Sequence, residues 1–449
     1  MTNWQVRATG SRSLLRRGPP KAGLMVGLVC LSAGVGIVEA SPATGTLLAQ
    51  ADLSRNATTD RNTRQTLYFS DCQANAAPDC VPGNNANPGT LAAPKQDFTR
   101  INLNTLAAGT SLLFARGGAW NFTAMQRLEN LNTTATAPLV FADYGTGALP
   151  LFKFASGQIA FELGGGWNNQ TNDGGYAFRN IKFDGGGVTS WGFWLRDNVR
   201  DVTFDGVEIT GFAIAVHSQS VPPHGVNNIS VLNSRIVRNS DMGWLGKVNG
   251  VRIEGSLFEG NNFGGSGFSH AVYIGGGSNG VIRNNRFVRN SVVNGVCTGG
   301  NVTFHGQIDG MVIEGNTIEQ DSANPGCYGF SITQGHATAE WFRNFVVRGN
   351  KVINVGQCAF CVQSAPSILV EGNTIINQRA TPQTAIAVGS TEYGGGDVVD
   401  AGAIVRNNTI CFPDPHRNSV AVRVSGAGAQ TTDNATLKGR EASTGVCAR

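Results

Sequence analysis

Of the five histidines between positions 217 and 336, four, His217, His270, His305 and His336, lie on or beside one recurring strand, and Tyr273 follows His270 by three residues. A neutral imidazole accepts a proton and a phenol gives one up, so His270, Tyr273 and His305 form a candidate group for moving protons between carbon and oxygen near neutral pH. Lys247 could serve beside them as a base or as a clamp for an anionic group. Around this centre, Trp194, Arg196, Gln307, Gln334, His336 and Gln363 are candidate binding residues. An isolated histidine on a protein surface is ordinarily inert, so the clustering, and no single residue, carries this reading.

Something regular must bring positions so far apart together. A short phrase recurs: apolar residues, a charged or polar residue, Gly or Asn, often a second Asn, any residue, then Ile, Val or Phe. It is plainest in Glu314-Gly315-Asn316-Thr317-Ile318, Arg348-Gly349-Asn350-Lys351-Val352, Glu371-Gly372-Asn373-Thr374-Ile375 and Arg406-Asn407-Asn408-Thr409-Ile410. Counted at the residue before the final pair, the repeats fall at 207, 234, 256, 285, 316, 350, 373 and 408. The spacing is too short for a propeller blade and lacks the fixed leucines of a leucine-rich repeat. It fits an all-β, single-stranded parallel β-helix, each turn made of short strands separated by tight corners. Asn285, Asn316, Asn350, Asn373 and Asn408 are then corner residues, tolerant of left-handed backbone and able to bond to their copies on the next turn.

Strict alternation along one strand per turn sets Phe193/Leu195, Ile214/Val216, Val272/Ile274, Val302/Phe304, Phe330/Ile332, Phe360/Val362 and Ile386/Val388 inward. One outward column then reads Trp194, Ala215, Tyr273, Thr303, Ser331, Cys361 and Ala387. The next reads Arg196, His217, His305, Thr333 and Gln363, with Arg423 near its end. The longest insertions, about 286–301 and 319–328, flank the histidine-rich turns.

Composition agrees. Charged residues make up only 14% of the chain and Gly reaches 60 residues, as expected of many tight corners and few helices. The formal charge of +4 comes from residues 1–40, which hold five basic side chains and one acid; the remainder has 29 of each. A neutral body gives no electrostatic reason to expect nucleic acid or an anionic membrane as a partner. Residues 1–40 have the form of a secretory signal: basic residues to Lys21, the apolar run Gly23–Val38, then Val38-Glu39-Ala40 for cleavage. The expected product is a secreted or periplasmic monomer. Outside that segment eight cysteines remain, an even number suited to disulfides. Cys72 and Cys80 are near enough to staple a loop, Cys297, Cys327 and Cys358 could bridge neighbouring turns, and Cys358-Ala-Phe-Cys361 reads as a structural bridge. No metal site or other cofactor is implied, with Ca²⁺ left open as an alternative: its oxygen sites need several converging carboxylates, and the acids here are dispersed. The chain divides into a signal (1–40), a linker (41–65), a cap with the first turns (66–150), the main solenoid (151–428) and a tail (429–449).

The front of the chain resembles the cap of bacterial right-handed β-helix proteins of the pectate-lyase-like class. The resemblance rests on Tyr68-Phe69-Ser70, Asn87-Pro88-Gly89-Thr90, Ala108-Gly109-Thr110-Ser111-Leu112-Leu113-Phe114-Ala115-Arg116-Gly117-Gly118 and Tyr144-Gly145-Thr146-Gly147-Ala148-Leu149-Pro150. It implies a right-handed solenoid opened by a strand and plugged by a helix, here Pro94–Leu106, with a polysaccharide site on an outward row. On that footing the His/Tyr group would drive β-elimination of an acidic, uronate-containing glycan, the carboxylate being neutralised by a cation. Hydrolysis is less favoured, because two facing carboxylates are needed and Asp309 and Glu314 read as corner residues. Asp414-Pro415-His416 resembles a motif of mannuronan C5-epimerases, which makes epimerisation an alternative. A non-catalytic glycan-binding or surface-structural solenoid is the rival from another class.

Overall fold

The computed structural model describes residues 64–155, 157, 159–165, 173–220, 225–320, 326–389 and 394–448. The signal segment and nearly all of the linker lie outside the described residues. Three long parallel sheets, of 13, 12 and 11 strands, run through the described residues from Thr66 to Lys438. Each turn of the chain adds one strand to each sheet, so the architecture is the parallel β-helix expected from the repeat.

Register explains the core. In the 13-stranded sheet Val231, Ile253, Ile282, Ile313, Val347, Val370 and Val405 stand one above the next, all fully buried. β-branched side chains suit this stacked, pleated environment, and each buried one stabilises the turn by about 1.5–3 kcal/mol. The first turns use phenylalanine instead: Phe69 stacks on Phe114 and Phe141 on Phe178.

The corner differs from the sequence reading in one respect. The left-handed residue is the one before each repeated Asn, namely Asn284, Gly315, Gly349, Gly372 and Asn407. The repeated Asn itself turns inward and is buried. Asn285, Asn316, Asn350 and Asn373 each donate a side-chain N–H, and a backbone N–H, to the amide oxygen of the next copy. An inward amide has no water to satisfy it, so the stacked copies must satisfy one another. Ser234 and Ser256 continue this ladder toward the N-terminus.

The expected plugging helix is reduced to a single 3-10 turn at Leu103–Thr105. Asp97, Asn102 and Asn104 spend their side chains on nearby or cross-chain backbone N–H groups, which competes with helix formation. Phe98 does the capping instead, buried against Phe69, Phe114, Phe122, Phe141 and Phe152. At the other end, parallel pairing runs on to Ala435–Lys438, so the solenoid continues past residue 428 into the segment read as a tail. Disulfides join Cys72–Cys80, Cys297–Cys327, Cys358–Cys361 and Cys411–Cys447, and the last ties the chain end onto the final turns. Among the described residues no helix is long and apolar enough to cross a membrane.

Candidate functional site

The 11-stranded sheet carries the histidines. Its true outward column is Trp194, His217, Leu245, Tyr273, Thr303, Ser331, Cys361, Ala387 and Arg423. His217 and Arg423 thus share the column of Tyr273, not that of His305, and Ala215 is wholly buried. Strict alternation failed because these strands bend. Cys358 and Cys361 have Cα atoms 5.8 Å apart, where three residues of extended strand would span ~10 Å. The small residues Gly192, Ala215, Gly243, Ala271, Gly329 and Ala359, all buried, occupy the bend. Side chains three apart therefore meet: Trp191 with Trp194 at 4.9 Å between ring centroids, and His270 with Tyr273 at 5.8 Å.

This bend decides the fate of His270. It lies beneath Tyr273, only 9% exposed, and its Nδ1 accepts the Gly300 N–H at 2.9 Å. Burial pushes its pKa down to about 4, so it is a neutral pedestal for the Tyr273 ring. The expectation of a catalytic His270 is not carried by this geometry.

Tyr273, His305 and His336 do come together. The Tyr273 hydroxyl is 3.2 Å from His336 Nε2, and the Tyr273 and His336 rings lie 5.5 and 4.8 Å from that of His305. Burial pushes the Tyr273 phenol up to about 12, with Glu340 adding to the shift. Burial likewise lowers the His305 pKa, against the opposing pull of Glu340. At neutral pH the pair is thus a protonated phenol beside a neutral imidazole, an acid and a base in one cleft.

Glu340 is the residue that sequence reading missed. Its side chain is completely buried and receives four hydrogen bonds: from Gly306 N–H at 2.6 Å, Gly335 N–H, His336 N–H at 2.8 Å, and His305 Nδ1 at 3.1 Å. Burial opposes its ionisation, yet the three backbone donors and His305 hold the carboxyl below its usual range. A carboxylate against Nδ1 fixes the proton there and leaves Nε2 as the acceptor. Asp397 supports it from behind, accepting the Glu340 N–H at 2.7 Å. The loop geometry needs two glycines. Gly306 sits at φ +75, and a Cβ on Gly335 would stand 2.9 Å from the His305 ring. A lone acid in Gly335-His336-Ala337-Thr338-Ala339-Glu340 gives no hint of burial; the only sequence signal is its place next to His336.

The remaining candidates spread along the sheet. Lys247 is exposed and stands opposite Gly275, whose missing side chain leaves a gap between Lys247 and His305 above Tyr273. Gln307 is exposed at the rim, donating to Ala339 O. Gln334 and Gln363 line a separate hollow of about 520 Å³, with Tyr328, Ser331, Thr333 and, at its far side, Arg423. Trp194 lies three rungs from Tyr273, ~14 Å at the usual strand spacing. It is stacked under Arg196 at 4.1 Å. Arg196 itself is buried and ion-paired to the buried Glu162, which also holds Arg127. That pairing leaves Arg196 as a support for Trp194, not a free clamp. Asp414 and His416 are far off, on the approach to the last strand of this sheet, Val420–Val424, where His416 Nδ1 accepts the Asn418 N–H.

Comparison with known proteins agrees on the architecture. Residues 168–375 match the family described as right handed beta helix region. No curated protein sequence matches significantly. Among solved structures, a lacto-N-biosidase of Eubacterium ramulus superposes with a TM-score of 0.52 at 10% identity, covering 83% of this chain and 68% of that one. The Dettilon tailspike protein gives 0.50 at 13% identity over 73% of this chain and 62% of its own, so the match spans less than two thirds of that protein. PfbA, a surface adhesin of Streptococcus pneumoniae, gives 0.50 at 15% identity over 74% and 84%. At these identities the likeness concerns the fold. The chain is a right-handed parallel β-helix protein.

Proposed function

We propose that this cleft performs β-elimination on an acidic, uronate-containing polysaccharide. The observation that carries the reading is the convergence of Tyr273, His305 and His336 on a buried carboxylate that fixes the His305 tautomer. In the proposed step His305 Nε2 takes the proton on the carbon next to the uronate carboxylate. The electron pair forms a carbon–carbon double bond, the glycosidic C–O bond breaks, and the leaving oxygen takes the Tyr273 proton. His336 returns a proton to Tyr273, and His305 loses its own to solvent. Lys247, across the Gly275 gap, neutralises the carboxylate and so favours removal of the neighbouring proton.

The rest of the face suits a polymer. The hollow lined by Gln334, Gln363 and Arg423 would take sugars on one side of the cleft, and the Trp191/Trp194 platform sugars on the other. Hydrolysis fits poorly: all four lone-pair positions of Glu340 are taken, so it serves neither as acid nor as nucleophile. Epimerisation would share the proton abstraction, but Asp414 and His416 lie five rungs away. The disulfides support a secreted or periplasmic setting. The test is release of ultraviolet-absorbing unsaturated ends from alginate, pectin or glycosaminoglycans. His305→Ala and Tyr273→Phe should each lower kcat by about 10²–10⁴-fold. If wild type and both variants are equally inert on all three while Trp194→Ala weakens glycan retention, the protein is a binding solenoid instead.

A further inference from the structure

We propose that the same cluster binds a divalent transition-metal ion of the zinc class, and that the ion switches the cleft off. One donor atom each from His305, His336 and Glu340 lies within 4.8 Å of the others, and the Tyr273 hydroxyl stands 3.2 Å from His336 Nε2. Two imidazole nitrogens and one carboxylate oxygen are a borderline donor set, which favours Zn²⁺, Co²⁺ or Ni²⁺ over the all-oxygen cages of Ca²⁺. Ligand bonds of ~2.0–2.2 Å put donors sharing one ion roughly 3.3 Å apart. His305 Nδ1 and Glu340 Oε1 are already at 3.1 Å. His336 is exposed and needs only side-chain rotation to complete the set.

The consequence for chemistry follows from the proton between His305 and Glu340. An ion there takes the place of that proton, since a metal needs the lone pairs of both Nδ1 and Oε1. Neutral His305 must then carry its proton on Nε2, the atom that accepts substrate hydrogen in the proposed elimination. Binding of the ion stands on the donor geometry alone; its inhibitory effect rests on the proposed reaction.

The test uses the full folded protein, stripped of metal, titrated with Co²⁺ and then Zn²⁺. The expected result is one ion per chain, with the visible absorption of low-coordinate Co²⁺ displaced by Zn²⁺ and untouched by Ca²⁺. His336→Ala and His336→Gln should each weaken binding by at least about tenfold, with circular dichroism unchanged, while His416→Ala, remote from the cluster, should bind as wild type. Absence of saturable Co²⁺ binding in wild type, or equal binding by the His336 variants, overturns the site. If the ion binds as described and active protein is not inhibited by Zn²⁺, or needs it for activity, the switching role is overturned and the site stands. A protein inert on every uronate polymer but binding Co²⁺ through His336 would refute the elimination and not the metal site.

Discussion

Glu340→Gln is the most informative single change. The two carboxylate oxygens divide the work: one accepts Gly306 N–H and His305 Nδ1, the other Gly335 and His336 N–H. An amide can replace only one of them as an acceptor, so its NH₂ must face two donors. Two hydrogen bonds to a charged group are lost, worth about 1.5–3 kcal/mol each, or roughly 3–6 kcal/mol if nothing moves. The loop Gly335–Ala339 is largely exposed and can give way, so the strain should open the loop locally and leave the solenoid folded. If the NH₂ faces His305, that ring accepts at Nδ1 and carries its proton on Nε2, where it cannot act as a base. If it faces Gly335 and His336, the His336 side chain leaves Tyr273. Either way kcat for uronate elimination should fall by about 10²–10⁴-fold, with KM little changed because Lys247 and the neighbouring hollow are intact. The assay is formation of unsaturated ends, with circular dichroism as the folding control. Retention of kcat within a factor of a few, in a folded variant, would refute the role assigned to this carboxylate.

Two further outcomes concern stability. Burial holds His217 and His270 near pKa 4 in the folded protein, whereas each sits near 6.5 when unfolded. The unfolded chain therefore binds these protons more readily. Stability should be intact above about pH 6.5 and decline as pH falls toward 4, by up to ~3 kcal/mol per histidine. Melting temperatures from pH 7 to 4.5 should show this slope, reduced in His217→Phe; identical slopes in both proteins would count against it. Asn350→Ala removes the acceptor for the Asn316 backbone and side-chain N–H groups. Leaving these buried donors unpaired should cost about 2–5 kcal/mol, read by denaturant unfolding. Asn350→Ser should cost less, since Ser234 and Ser256 hold equivalent places in the ladder.

The solenoid was legible in the sequence because it is written as local repetition. Positions 234, 256, 285, 316, 350, 373 and 408, found from spacing alone, are the residues that stack in the inward ladder. The histidine-rich turns were legible as a neighbourhood for the same reason, since rungs set the order of side chains along the sheet. Which of those side chains meet was not. A bend that lets residues three apart face one another buries His270 and re-registers His217, and it leaves only small residues as its mark. Glu340 reaches His305 across 35 positions through a loop whose path depends on Gly306 and Gly335. Repetition fixes what each turn does with its neighbour, whereas the cleft is made by insertions and bends that differ from turn to turn. Its acid–base character arises from burial, a property of the assembled rungs that no local pattern encodes.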